Sequence, residues 1–126
     1  MGKTLVDTSV VIALGNQHDV HYQSAITDYN ERQKQQLRIS VVTLSEALVI
    51  PARYGTNEFN QISRMLKLTF NDPLDVTNSI ASSAANIRAQ SRISLPDALI
   101  LATALEHEMD LWTFDKKLLE IFTARK

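Results

Sequence analysis

The segment Lys3-Thr-Leu-Val-Asp7-Thr-Ser-Val-Val-Ile-Ala-Leu14 joins a short apolar strand directly to a helix. The strand runs from Lys3 to Val6 and ends at Asp7. The helix from Thr8 to Leu14 is closed by Gly15-Asn16, a pair typical of helix ends. The same order of strand, acidic residue and helix recurs near the end of the chain.

Strands and helices alternate along the remaining sequence. Apolar residues at helical spacing predict helices that begin at Asp19, cover 43–52, 96–108 and 116–122, and surround Phe59–Leu66 and Ile80–Ile87. Further strands are predicted at 37–42, 74–76 and 109–114. Such alternation favours a parallel sheet with helices on both faces, because crossovers between parallel strands are right-handed. We therefore expect a three-layer α/β/α fold around a central parallel sheet of four strands, or five.

Length and composition describe an ordinary globular domain. The 126 residues are 44% hydrophobic and 21% charged, which predicts one domain spanning 1–126. The chain has no cysteine, which excludes disulfides, thiolate zinc sites and cysteine nucleophiles and agrees with a cytoplasmic location. The early apolar run Val10–Leu14 is too short for a signal peptide or a membrane span. A net charge of −1 gives no global attraction for nucleic acid, so such a ligand would need a local basic patch or bound cations.

Four acidic residues occupy the junctions between the predicted strands and helices. Asp7 follows the first strand and Asp115 ends the last one. Glu46 and Asp97 fall in the first turns of two predicted helices, and all four have apolar neighbours in sequence. Ligands of open parallel sheets bind at the carboxyl ends of the strands. The four carboxylates are therefore expected to gather at that edge of the sheet.

Helix capping is the alternative explanation for these acids. Thr43-Leu-Ser-Glu46 and Ser94-Leu-Pro-Asp97 match the capping-box pattern, and Asp7 and Asp115 could be simple N-caps. Four carboxylates on one edge would, however, repel by about 1–4 kcal/mol per pair at separations of ~4 Å. Two Mg²⁺ or Mn²⁺ ions would cancel that repulsion. Such ions activate water and hold a scissile phosphate, so no serine or cysteine nucleophile is required.

The acids belong to four motifs that resemble, in order and spacing, those of PIN-domain ribonucleases. The motifs are Leu5-Val-Asp7-Thr-Ser9, Thr43-Leu-Ser-Glu46-Ala-Leu48, Leu95-Pro-Asp97-Ala-Leu-Ile-Leu-Ala-Thr-Ala104 and Thr113-Phe-Asp115. Together they extend over nearly the whole chain. The sequence is most similar to the VapC-type toxins of toxin–antitoxin pairs.

This resemblance implies a divalent-metal-dependent endoribonuclease that cleaves single-stranded RNA. By motif, the ligands of Mg²⁺ or Mn²⁺ would be Asp7, Glu46, Asp97 and Asp115. Ser9 and Thr113 would orient those ligands or water through their hydroxyl groups. The resemblance also implies a homodimer and a cognate antitoxin protein. PIN domains commonly continue into a further edge strand, whereas this sequence stops at Lys126, which favours four strands over five.

Several other residues admit two interpretations. The basic residues near the acids could hold RNA phosphates or simply form solvated helix faces; they are Arg88, Arg92, Lys116 and Lys117. Trp112 is expected in the core rather than in contact with a base. A stripe of five apolar residues is expected mostly in the core, with part of it available as a groove for an antitoxin helix; it consists of Tyr22, Ile26, Tyr29, Phe59 and Ile62.

Two further functions compete with the nuclease. A receiver-type signalling module also places acids and Mg²⁺ at strand ends, but it needs an acidic pair after the first strand, where this chain has only Asp7. A catalytically silent PIN-like scaffold that only binds partners is the second alternative. The presence of all four acids argues against that scaffold.

Overall fold

A computed structural model describes residues 2–126, and within them it contains three strands and seven helices. In chain order these are β1 (Lys3–Val6), α1 (Thr8–Gly15), α2 (Tyr22–Glu31), β2 (Gln36–Arg38), α3 (Val41–Tyr54), α4 (Thr56–Phe70), α5 (Asn78–Gln90), α6 (Leu95–Glu106), β3 (Asp110–Trp112) and α7 (Lys116–Arg125). The predicted helices are all present, with ends that differ by a few residues. None of the helices within residues 2–126 combines the length and hydrophobicity needed to cross a lipid bilayer.

The three strands form a parallel sheet in the order β2-β1-β3. The first strand is therefore central, with Leu5 opposite Leu111 and Thr4 opposite Leu37. The amide of Asp7 continues the pairing beyond β1 by donating to the carbonyl of Trp112 at 2.9 Å. The residues that follow β1 and β3 consequently lie side by side at one edge of the sheet.

Side chains alternate across the sheet and build a core on each face. Leu5 and Leu111 pack against α5, α6 and α7, whereas Val6 and Trp112 pack on the opposite face with residues of α1 and α4. Trp112 is only 3% exposed, which confirms its predicted place in the core. The expected three layers and parallel sheet are thus confirmed.

The expected sheet of four or five strands is wrong for the described residues, which contain three strands. The segment predicted as a strand at 74–76 makes only a single parallel bridge, between Leu74 and Ser40. Pro73 before it lacks an amide donor, and Thr77 after it already caps α5 by accepting from the amide of Ile80 at 3.1 Å. Too few residues remain between these two constraints for a ladder to form.

The predicted strand 37–42 is also shorter in the structure, because a helix begins within it. Ser40 caps α3 by accepting a 3.0 Å hydrogen bond from the amide of Val42. The helix predicted from Thr43 therefore starts at Val41 instead. It ends before Gly55, whose φ of +119° favours glycine and separates α3 from α4.

The apolar stripe on α2 and α4 was expected mostly in the core. This expectation is wrong, because these two helices leave much of the stripe accessible to solvent. Tyr22, Ile26, Tyr29 and Ile62 are half-buried, and Phe59 is exposed. Only Tyr29 and Ile62 of the five pack against the core on the α1–α4 side. The stripe is thus the rim of that core.

Candidate active site

Asp7 is the most enclosed acidic residue of the predicted site, with 3% of its surface exposed. Its Oδ2 accepts hydrogen bonds of 2.7 Å from the hydroxyl groups of both Ser9 and Thr113. Its Oδ1 is buried and has no hydrogen-bond partner. Although Asp7 occupies the N-cap position of α1, its side chain makes no cap hydrogen bond, so the capping interpretation is wrong for this residue. A buried, unpaired carboxylate oxygen is costly and calls for a cation or a water molecule.

The two hydroxyl groups on Asp7 also fix the chain after β3. Ser9 Oγ accepts from the amide of Phe114 at 3.2 Å, and Thr113 Oγ1 accepts from the amide of Asp115 at 3.0 Å. Each hydroxyl therefore donates to Asp7 and accepts from the backbone next to Asp115. The structure places Ser9 and Thr113 beside the acids, where the motifs predicted them.

Glu46 lies one turn later in its helix than predicted. Because Ser40 caps α3, Glu46 is its sixth residue and does not belong to the first turn, so the capping box with Thr43 is wrong. Glu46 Oε1 accepts a 2.7 Å hydrogen bond from the hydroxyl of Thr8, the residue after Asp7. This bond brings Glu46 to the edge of the sheet where β1 ends.

Thr8 and Thr43 are polar contacts of the site that the sequence analysis missed. Their hydroxyl oxygens lie 2.9 Å apart, and Thr43 is fully buried. Thr43 and Glu46 are three residues apart on one helix and share a face, so both reach Thr8. Thr43 lies three residues before Glu46. Had both been placed inside the helix, with Thr43 not taken as its cap, this spacing could have identified Thr43 as a residue of the site.

Burial and the negative charges of the other three carboxylates raise the pKa of Asp97. Burial raises the pKa of Asp97 above the ordinary aspartate value of 3.8, and the negative charge of Asp7 raises it further. A hydrogen bond with Ser94 lowers the pKa, whereas the charges of Asp115 and Glu46 raise it. Three residues from separate parts of the chain thus act on one carboxyl group, which indicates that the four acids share one neighbourhood.

The local structure around Asp97 follows the sequence pattern. Ser94 is the N-cap of α6 and accepts from the Asp97 amide at 3.2 Å, as the predicted capping pattern requires. Leu95 and Pro96 occupy the first two helical positions, where proline loses no helical hydrogen bond. Asp97 is therefore held in the first turn of α6 by its backbone, and its carboxylate is half-buried.

Asp115 combines both interpretations of the acidic residues. Its Oδ1 accepts from the amides of Lys117 and Leu118 at 3.0 and 3.1 Å, which confirms that it caps α7. Both bonds use the same oxygen of an exposed residue. The cap orients the carboxylate and leaves Oδ2 available for another ligand.

The grouped acids are suited to a hard divalent cation, although they do not enclose a position for one. Across residues 2–126, no three acidic or histidine side chains lie close enough together to hold a metal ion. The unpaired Oδ1 of Asp7, the raised pKa of Asp97 and the all-oxygen donor set nevertheless fit Mg²⁺ or Mn²⁺. A bound cation would satisfy Oδ1 and offset the mutual repulsion of the carboxylates.

The predicted basic residues are exposed, and one contact ties two of them to the site. They are Arg88, Arg92, Lys116 and Lys117. The ammonium group of Lys117 donates to the carbonyl of Arg92 at 2.7 Å. This contact connects the start of α7 with the loop that precedes Asp97, so the two basic segments flank the acidic edge. A phosphate-binding role for them stays a prediction.

Solved structures of three proteins share this fold over nearly their whole length. A toxin–antitoxin complex from Klebsiella pneumoniae contains a chain 29% identical to this one, with a TM-score of 0.72 and coverage of 90% of this chain and 88% of that chain. VapC20 of Mycobacterium tuberculosis, a toxin that cleaves the sarcin–ricin loop, is 22% identical, with a TM-score of 0.75 and coverages of 96% and 93%. FitAcB from Neisseria gonorrhoeae is 20% identical, with a TM-score of 0.72 and coverages of 95% and 93%.

The sequence matches a known protein family but no curated protein. None of the curated proteins compared with the chain matches it significantly. Residues 4–122 match the PIN domain, and this range contains all four predicted acids. The match favours the predicted resemblance over a receiver module and agrees with the structural similarity to VapC20. The chain belongs to the PIN domain family.

Proposed function

We propose that this protein is a divalent-metal-dependent endoribonuclease that cleaves single-stranded RNA and acts as the toxin of a type II toxin–antitoxin pair. The observation that carries the proposal is the buried, unpaired Oδ1 of Asp7, next to an Asp97 whose pKa is raised by the surrounding carboxylates. A helix cap or a structural ion pair would satisfy such an oxygen within the chain. A site that receives a cation leaves it free.

In this proposal Asp7, Glu46, Asp97 and Asp115 hold Mg²⁺ or Mn²⁺. When bound, such a cation activates water for attack on the phosphodiester and stabilises the charge that develops on the phosphate. The chain's own contribution is orientation. Ser9 and Thr113 occupy Oδ2 of Asp7 and so keep Oδ1 available for the cation.

The hydrogen bond from Thr8 to Glu46 likewise orients a ligand of the cation. A glutamate on the second turn of a helix has several accessible rotamers, and fixing one costs conformational entropy. The 2.7 Å bond from Thr8 holds the Glu46 carboxylate towards Asp7 before any ligand arrives. Metal binding then requires less ordering of the protein.

RNA cleavage by purified protein tests the proposal. An end-labelled single-stranded RNA is incubated with the protein and MgCl₂ or MnCl₂, and the products are resolved by length. Internal cuts that disappear with EDTA are expected. Asp7→Asn and Asp97→Asn should each lower the rate by at least ~100-fold, because each removes a charged ligand.

Asp110→Asn is the matched control for these variants. Asp110 is an exposed aspartate at the opposite end of β3, so its replacement changes the same charge outside the site. It should leave cleavage unchanged. Cleavage that persists in both site variants, or that ignores EDTA, would contradict the proposal. Tight RNA binding without any cleavage would instead support the catalytically silent scaffold.

An apolar groove supports the toxin–antitoxin part of the proposal. It has a volume of about 560 Å³ and lies between α1, α2, α3 and α4. Ile12, Ile50 and Met65 line it and are 45–60% exposed, which is unusual for large apolar side chains. The described complex from Klebsiella pneumoniae pairs a similar chain with an antitoxin. We assign the groove to the apolar face of an antitoxin helix.

Co-purification tests this assignment. The protein is co-expressed with each small open reading frame found next to its gene. Met65→Glu is compared with Leu119→Glu, an equally drastic change at an exposed leucine of α7. Only Met65→Glu should abolish co-purification. If both variants retain the partner, the groove is not its binding site. The homodimer stays a prediction from the resemblance, and the cytoplasmic location stays a prediction from the absence of cysteine.

A further inference from the structure

An aromatic pair lies at the rim of the acidic site and has no part in metal binding as described above. The rings of His21 and Phe114 are stacked, with centroids 4.5 Å apart and planes inclined by 11°. This is the offset arrangement that aromatic rings favour. Phe114 lies between Thr113 and Asp115, so the pair adjoins two residues of the site.

Phe114 is fixed to the site by its backbone. Its amide donates to Ser9 Oγ, and Ser9 in turn donates to Oδ2 of Asp7. The ring itself is half-buried and packs against the core on the α1–α4 side. The Phe114 ring is therefore held in a fixed position relative to the carboxylates.

His21 provides the exposed ring of the pair, and its loop fixes its position. Its amide donates to Asp19 Oδ1 at 2.8 Å, and the amide of His18 donates to Asn16 Oδ1 at 3.0 Å, so two local turns shape the segment between α1 and α2. One face of the imidazole covers Phe114, so its exposure comes from the other face and the ring edge. Within residues 2–126, neither ring nitrogen has a hydrogen-bond partner.

We propose that His21, supported by Phe114, is a stacking platform for one nucleobase of the RNA substrate, adjacent to the carboxylate site. This inference rests on the proposed ribonuclease function and adds a substrate contact to it. A net charge of −1 provides little general attraction for RNA, so local contacts must hold the strand. Stacking on an aromatic ring is such a contact, and it accepts any base.

The free edge of His21 adds a second element. Its unpaired ring nitrogens can hydrogen-bond to the base or to the sugar beside it, which a phenylalanine could not do. Because Phe114 is joined through Ser9 to Asp7, a base on the platform would fix the strand relative to the site of cleavage. The platform would thus help to select which phosphodiester is cut.

Fluorescence of 2-aminopurine tests the platform directly, because stacking quenches its emission. A series of short single-stranded RNAs carries the analogue at successive positions, and binding is measured in Ca²⁺ buffer with the RNA checked for integrity. The wild-type chain should quench one position most strongly. His21→Ala should abolish that quenching and weaken binding about tenfold, whereas His21→Trp should restore both.

His18→Ala is the matched control, since His18 is an exposed histidine of the same loop, three residues away. It should behave as wild type, and thermal unfolding should show that every variant is fully folded at the temperature of the binding assay. Replacing the quenched base by an abasic nucleotide should weaken wild-type binding but have no effect on His21→Ala. A structural role for His21 would not produce this dependence.

The outcomes separate the two proposals. Equal binding and quenching by His21→Ala and His18→Ala, with RNA still cleaved, would overturn the platform and leave the ribonuclease intact. Wild-type protein that neither binds nor cleaves RNA would overturn both. Loss of affinity in His21→Ala that His21→Trp does not restore would also reject stacking as the mode of contact.

Discussion

Thr113 donates a 2.7 Å hydrogen bond to Oδ2 of Asp7, although the two residues are 106 positions apart in the chain. The same hydroxyl accepts from the amide of Asp115, so one side chain connects two of the four acids. This relationship exists because β1 and β3 are neighbours in the sheet. The first prediction follows from it.

Replacing Thr113 by valine should lower the rate of RNA cleavage by about 10–100-fold, the usual effect of removing a group that orients a metal ligand. The change removes a donor from Asp7 and an acceptor from the amide of Asp115. Thr113→Ser should recover most of the rate. Thr123→Val is the control, because that hydroxyl bonds only the carbonyl of Leu119 within α7. Wild-type cleavage rates in Thr113→Val would show that the hydroxyl is dispensable.

Asp97→Asn should raise thermal stability at neutral pH in the absence of divalent cations, by a few degrees in Tm. The pKa of Asp97 is raised in the folded protein, so the folded state holds its proton more tightly than the unfolded state does. Stability is therefore lost as the pH rises from the ordinary aspartate pKa of 3.8 through the raised pKa of the folded protein. The asparagine variant avoids that loss.

The difference in Tm between Asp97→Asn and wild type should shrink as the pH falls through the raised pKa and below 3.8, where Asp97 becomes neutral in both states. Thermal unfolding across this range measures it. Asp110→Asn, which replaces an exposed aspartate outside the site, should show no such trend. A Tm for Asp97→Asn at or below that of wild type at neutral pH would contradict the assigned cause.

Mg²⁺ or Mn²⁺ should raise the Tm of the wild-type chain in a saturable manner. A ligand that binds only the folded state stabilises it by roughly 2.7 kcal/mol at a hundred times its dissociation constant. Asp7→Asn should largely remove the response, because it replaces the buried carboxylate with the unpaired oxygen. If both proteins respond equally, the cation binds elsewhere. This measurement is independent of catalysis.

Lys116→Ala should weaken single-stranded RNA binding and reduce the salt dependence of the affinity. Losing one phosphate contact changes the slope of log K against log salt by about 0.7 for single strands. Lys34→Ala is the control, since Lys34 is exposed at the opposite edge of the sheet, ahead of β2. Identical slopes for the two variants would identify Lys116 as an ordinary solvated lysine.

The sequence predicted those features of the fold that depend on local patterns. The strand before Asp7 and the cap formed by Asp115 are read from adjacent residues, and both are present. The start of α3 was misplaced because Ser40 and Thr43 are equally good caps by composition. Ser40 becomes the cap because β2 ends just before it and Leu74 bridges to it, a contact from a distant segment.

The polar contacts of the site were predictable only where the family resemblance assigns a role to the residue. Ser9 and Thr113 each lie two residues from an acid and match hydroxyl positions of the family motifs, so they were identified. Thr43 was assigned to a cap because its contact with Thr8 spans 35 residues. The stack of His21 on Phe114 joins a loop to a strand end and leaves no periodic signal in either segment. Such contacts depend on tertiary packing, which a single sequence does not specify.

The central position of β1 also governs when the four-acid site can assemble during synthesis. Its partner β3 begins at Asp110, so a nascent chain cannot complete the sheet until the residues up to the end of β3 have left the ribosome. Until then Asp7 lacks Thr113, and Asp115 has not been translated. A nascent chain or a truncated fragment that stops before β3 can therefore not assemble the four-acid site.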